Sequence, residues 1–173
     1  MRMRLQGRAA RAATGGLLLC AALLLSYIES ALGLRVAFLP WLRLGLANIV
    51  VAFAFFEASP RMAAAVSFSR VIIMGVLFGS PVSFLYSFCG AVLSFCGLLI
   101  ARLLGGRISY IGASSLCAAL HNVGQAAVAA CFFGVSVAAF YLPYLLVTGA
   151  FFGIVTGILL NFFSSKLGRI FSE

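Results

Sequence analysis

Long apolar runs follow one another along this chain, each bounded by charge, glycine or proline, and they predict helices over 14–32, 44–57, 62–79, 82–104, 110–133 and 138–163. A helix needs roughly 20 apolar residues to cross the hydrocarbon core of a bilayer, so six spans would use about 120 residues and leave about 50 for termini and loops. The pattern predicts an all-α polytopic membrane protein, a six-transmembrane-helix bundle with a basic N-terminus (1–13), a membrane domain (14–163) and a short C-terminus (164–173). The second run is short and follows Pro40. It is expected to be a partly embedded or broken helix supported by its neighbours.

Composition agrees with lipid as the solvent. Hydrophobic residues make up 64% of the chain and charged residues 9%, and the mean hydropathy is +1.19, which excludes an ordinary water-soluble domain. The net charge of +9 would suit a nucleic-acid binder. However, the basic residues are scattered between apolar runs or gathered at the N-terminus, with no exposed domain to carry a basic groove, so no nucleic-acid partner is expected.

Their positions make sense as topology. Six alternating spans place Arg2, Arg4, Arg8, Arg11, Arg61, Arg102, Arg107, Lys166 and Arg169 on one side, and only Arg35 and Arg43 on the other. The positive-inside rule then puts both termini in the cytoplasm. The first run has the basic start and apolar middle of a secretory signal, but Leu17–Leu25 is not followed by a clear small-x-small cleavage site before Tyr27 and Glu29. The five cysteines all lie inside apolar runs, without a C-x-x-C pair or a histidine or carboxylate at ligand spacing. They read as small packing residues, and neither metal nor cofactor is expected.

Small residues let helices approach closely in lipid. Gly149, Gly153 and Gly157 recur every four residues on one face of the last span, and Gly75 with Gly79 repeats the spacing in the third. Bundle packing and docking onto a partner membrane protein both fit these stripes.

Polar side chains at depth are costly and point to function. Arg70 has apolar flanks on both sides and needs an internal counter-charge, which either Glu29 or a bound anion would supply. His121, Asn122 and Gln125 pair at helical spacings of three and four, on a face expected to point into the bundle. Their amides and imidazole suit a polar or heteroaromatic ligand, and they would equally serve as an interhelical bridge. Asn48, beside Gly45, and Tyr86 are further candidates for a substrate-binding set of Glu29, Asn48, Arg70, Tyr86, His121, Asn122 and Gln125.

On Leu25–Glu29, Arg43-Leu44-Gly45-Leu46-Ala47-Asn48-Ile49, Ser69-Arg70 with Leu77-Phe78-Gly79, Phe84–Ser87 and His121-Asn122-Val123-Gly124-Gln125, the chain resembles the Gx transporter family, also called heptaprenyl diphosphate synthase component I. That family in turn resembles the substrate-binding S components of energy-coupling factor transporters, six-helix bundles of the bacterial cell membrane that capture small molecules. The resemblance implies a coupling protein and a pair of ATPases as partners, because this chain has no phosphate-binding loop of its own. S components carry an A-x-x-x-A docking surface in the first helix; here Ala9 and Ala13 have the spacing ahead of the span, and Ser26 with Ser30 repeats it more loosely.

The synthase name meets a chemical objection. Prenyl elongation needs aspartate-rich motifs that hold magnesium against a diphosphate, and the chain contains no aspartate. The expectation is a non-enzymatic uptake component, with a noncatalytic membrane subunit of isoprenoid, quinone or redox metabolism as the alternative. The topology is directly testable: alkaline phosphatase fused after Glu173 should be inactive and a fluorescent protein at the same position bright, the reverse pattern contradicting cytoplasmic termini.

Overall fold

The computed structural model describes residues 7–33 and 46–170. Six α-helices carry the chain: α1 (Arg8–Gly33), α2 (Leu46–Phe53), α3 (Pro60–Phe78), α4 (Pro81–Leu103), α5 (Tyr110–Phe133) and α6 (Val135–Ile170). A π-helical turn, Ala54–Ala58, extends α2, and a 3-10 turn, Gly105–Arg107, precedes α5. Five helices are long and apolar enough to cross a membrane. The protein is an all-α, multi-pass membrane bundle.

Serines and prolines set the helix starts. Ser59 accepts from Met62 N–H at 3.2 Å, Ser80 from Ser83 N–H at 3.2 Å and Ser109 from Gly112 N–H at 3.1 Å, each satisfying an amide that the first turn leaves without an intrahelical acceptor. Pro60 and Pro81 follow the first two caps, where the missing N–H is no loss. Gly134 alone joins α5 to α6, at a φ of 92° that side chains avoid.

Some expected boundaries shift. α1 begins at Arg8 rather than 14, because the Ala- and Arg-rich stretch before the apolar run goes on forming helix, and α6 runs over Val135–Ile170 rather than 138–163. The second span, expected over 44–57, is helical over Leu46–Ala58. Residues 44 and 45, together with Arg35, Pro40 and Arg43, lie outside the described residues. At 1.5 Å per residue these 13 residues reach only about 20 Å, short of the roughly 30 Å hydrocarbon core.

The short helix nevertheless bridges the two ends of the bundle. Asn48, near its start, lines a cavity with Ser26 and Glu29 from the last turns of α1. Glu57, at its other end, meets Tyr110 at the start of α5 and Ser164 near the end of α6. We call the end bearing Gly33, Gly79 and Gly134 the outer end, since the basic residues gather at the opposite one.

α2 is buried almost all round. Ala47, Ile49, Val51, Ala52 and Phe53, with Ala54 and Phe55 beyond, are buried, and from Val51 to Phe55 they form one core cluster with Ala22 of α1, Ala63 and Val66 of α3, Leu98 of α4, Cys117 of α5 and Leu160 of α6. Large apolar side chains such as Leu17, Val76, Leu103 and Phe151 point outward instead, the inversion expected when the surroundings are acyl chains.

α4, α5 and α6 lie side by side in close contact. A β-carbon built at Gly153 would sit 2.6 Å from Ser115 Cα, and one at Gly157 would sit 2.5 Å from Ile111 Cα. At Gly124 it would meet the Cys89 carbonyl oxygen at 2.6 Å. These backbones therefore touch through glycine, and the Gly149–Gly153–Gly157 face is occupied by α5. Gly75 faces Phe84 of α4, whereas Gly79 is the C-cap of its own helix. Gly157→Val should lower stability by about 1–3 kcal/mol through overpacking, read as an earlier thermal transition in detergent, while Gly16→Ala, at a position with open space around it, should leave the transition unchanged or raise it slightly.

Candidate functional site: two polar chambers inside the bundle

A cleft with about 70 Å³ of free room lies at the outer end, beside Asn48 of α2. α1 contributes Ser26, Glu29 and Ser30, α2 contributes Asn48, α3 contributes Arg70 and Met74, α4 contributes Ser83, Phe84 and Ser87, and α5 contributes His121. Glu29 and Arg70 are both buried, at 9% exposure. Arg70 Nη1 donates to Ser26 Oγ at 3.1 Å, tying α3 to α1. The ring pair Tyr27–Phe78, with centroids 5.5 Å apart, holds the same two helices nearer the outer end.

A second, smaller cavity, with about 30 Å³ of free room, adjoins the first more deeply and shares Asn48 and His121 with it. Its polar wall is formed by Ser94, Ser114, Asn122, Thr148 and Thr156. Asn48 and His121 thus stand between the chambers. Space for the imidazole comes from Gly90, where a β-carbon would lie 2.6 Å from the His121 Cε1. On the far side of the ring, Gln125 Nε2 lies 3.1 Å from His121 Nε2. An amide N–H donating there makes Nε2 the acceptor and leaves the imidazole proton on Nδ1.

The structure divides the sequence-derived set. Glu29, Asn48, Arg70 and His121 meet in the outer chamber, while Asn122 lines only the deeper one. Its Nδ2 donates to the Leu145 carbonyl of α6, and Gly149 leaves room for that amide. Tyr86 and Gln125 do not join them: they line a separate cavity between α4, α5 and α6. Ser83 and Ser87, four apart, turn toward the polar chamber, so Tyr86 between them is carried round to another face of α4.

Ser26 and Ser30, whose spacing loosely matches the docking pattern of S components, line the outer chamber, and Ser83 and Ser87 join them there; each pair has the i, i+4 spacing of one helix face, a signal present in the sequence but weak because serine is common. Glu57, four residues before Arg61, is only 4% exposed. Tyr110 Oη donates to its Oε1 at 3.3 Å, and Ser164 Oγ donates to the same oxygen. This cluster ties α2, α5 and α6 together at the inner end. Among the described residues no group of three or more His, Cys, Asp or Glu side chains is arranged to hold a metal.

The model of the family heptaprenyl diphosphate synthase component I matches residues 18–163. The chain belongs to this family. The matched stretch runs from α1 into the last third of α6, so every residue of both chambers of this component I protein falls within it. No curated protein and no solved structure matches the chain.

The Glu57 cluster and the outer chamber should respond differently to substitution. Glu57→Ala removes the acceptor shared by two hydroxyls and should cost about 1–3 kcal/mol of stability, seen as an earlier thermal transition. Arg70→Gln keeps a donor of lesser reach facing Ser26 and should shift the same transition by less. Equal shifts would deny the inner cluster its structural role.

Proposed function

We propose that this member of the heptaprenyl diphosphate synthase component I family is a membrane-embedded binding subunit for uptake of a small polar organic molecule. The observation that carries the reading is the outer chamber: a carboxylate, a guanidinium, an imidazole, an amide and four serine hydroxyls from five helices line one cleft inside a protein whose exterior is hydrocarbon. Ionisable groups at such depth are expensive, and a bundle needing only mechanical stability gains nothing from gathering them around an open space.

Arg70 would take an anionic group of the substrate, since guanidinium offers several donors in a plane. Asn48 and His121 would take neutral hydrogen-bonding groups, and Phe84 offers a ring edge or face to a flat portion of the ligand. In the resemblance to S components of energy-coupling factor transporters, a coupling protein and an ATPase pair supply the energy, and the protein sits in a bacterial inner membrane with both termini in the cytoplasm.

The family's name favours a second reading, a noncatalytic membrane subunit that accompanies a prenyl diphosphate synthase. The absence of aspartate from the chain speaks against prenyl transfer by this subunit itself, so a separate catalytic component would be its partner.

Affinity purification in mild detergent, with mass spectrometry of copurified proteins and retained small molecules, separates the two. Uptake predicts a retained polar metabolite and coupling ATPases. Once that metabolite is known, Arg70→Gln or Glu29→Gln should weaken its binding at least about tenfold, the equivalent of 1.4 kcal/mol, while elution stays monodisperse. A prenyl synthase partner without any retained metabolite would overturn the uptake reading.

A further inference from the structure

The outer chamber brings together one carboxylate, Glu29, and one guanidinium, Arg70, and these are the only fixed charges among its described lining residues. Both side chains are buried. In a bundle surrounded by hydrocarbon, a ligand with a net charge of its own would leave one charge uncompensated, which is costly at such depth. The walls therefore match a ligand whose own charges sum to zero.

An uncharged molecule and a zwitterion both meet that condition, and the placement of the two wall charges separates them. Arg70 Nη1 donates to Ser26 Oγ at 3.1 Å, so the guanidinium stands at the level of Ser26 on α1. Glu29 leaves the same helix three residues later, about 4.5 Å further along its axis, and both residues line the cleft. The opposite charges thus approach the cleft within about one helical turn of each other, a span that the two charged groups of a small amino acid can bridge. Apolar residues of similar volume often replace a buried ion pair without loss of stability. What they cannot replace is recognition of opposite charges on a ligand. Size sets a further limit: the cleft has about 70 Å³ of free room, and one water needs at least about 10–15 Å³, so the cleft takes on the order of five to seven non-hydrogen atoms.

We infer that the outer chamber takes a small zwitterion of the amino-acid class, its acid group on Arg70 and its ammonium group on Glu29. An ammonium group brings three donors and a carboxylate only acceptors. The chamber answers both, with the hydroxyls of Ser30, Ser83 and Ser87, which donate or accept, and the Asn48 amide, which does each at a different atom. Met74 and Phe84 supply carbon surface for the ligand's own carbon atoms. The inference rests on the reading of this chamber as a substrate site and narrows the class of substrate it holds.

Titration calorimetry of the full chain in phosphatidylcholine nanodiscs provides the test. Glycine, L-alanine and β-alanine serve as zwitterions, and propionate, ethylamine and propanamide as analogues that lack one or both charges. At least one zwitterion should bind about tenfold or more tightly than all three analogues, a ratio within the reach of one charged hydrogen bond. Glu29→Gln should turn the ranking in favour of propionate and Arg70→Gln in favour of ethylamine, because each leaves the opposite charge in the wall. A merely structural pair would instead weaken all six alike. An analogue that binds the unsubstituted protein as tightly as the best zwitterion would overturn the assignment, whether or not the variants fold, and would leave the chamber a binding site. A copurified metabolite lacking either charge would do the same. Absence of binding by all six would also overturn the assignment, and the uptake reading would then stand or fall on the retained metabolite.

Discussion

In lipid, an apolar helix face gains little by leaving acyl chains for another helix, so a bundle of this kind depends on contacts that acyl chains cannot imitate. Here those contacts are backbone on backbone. Gly153 and Gly157 seat α6 on α5, and Gly124 seats α5 on α4. The resulting three-helix slab continues through α3, which packs on α4, to α1, and the buried α2 touches α1, α3 and α6. Asn48, in the first described turn of α2, joins Ser26, Glu29 and Arg70 in lining the outer chamber, so the polar site forms where α1, α2 and α3 meet.

The same close packing positions the chemistry. Gly90 admits the His121 ring and Gly149 the Asn122 amide, so two of the polar groups reach their places only because a neighbouring helix lacks a side chain there. His121 lines both polar chambers and meets Gln125, which lines the separate cavity between α4, α5 and α6. A membrane-embedded binding subunit needs a site that is polar inside and compatible with hydrocarbon outside, and this arrangement supplies both. At the inner end, the Glu57–Tyr110–Ser164 cluster closes the bundle where α2 meets α5 and α6.

The spans and their order were legible in hydropathy, glycine and proline, because lipid imposes a length on anything that crosses it. Arg70, Glu29, Asn48 and His121 were legible for a related reason: a polar residue in a long apolar run has few places to go. Which face each residue occupies was harder to read. His121, Asn122 and Gln125 look like one group in sequence, yet successive residues turn by about 100°, and the three line different combinations of cavities. Tyr86 misled because the serines flanking it, unremarkable alone, carry the inward face of α4. Nothing in the local sequence joins Glu57 to Tyr110 and Ser164, which lie far away along the chain but meet it in the bundle.

The central claim is that the outer chamber is a water-accessible binding site facing away from the basic end of the bundle. Its most direct test is thiol accessibility in intact cells: Met74→Cys and Ser87→Cys, each in an otherwise cysteine-free chain, treated with a membrane-impermeant maleimide from outside. Both positions line the chamber, and both should react without lysis. Reaction only after the membrane is opened, or none at all, would contradict a chamber of this orientation and exposure.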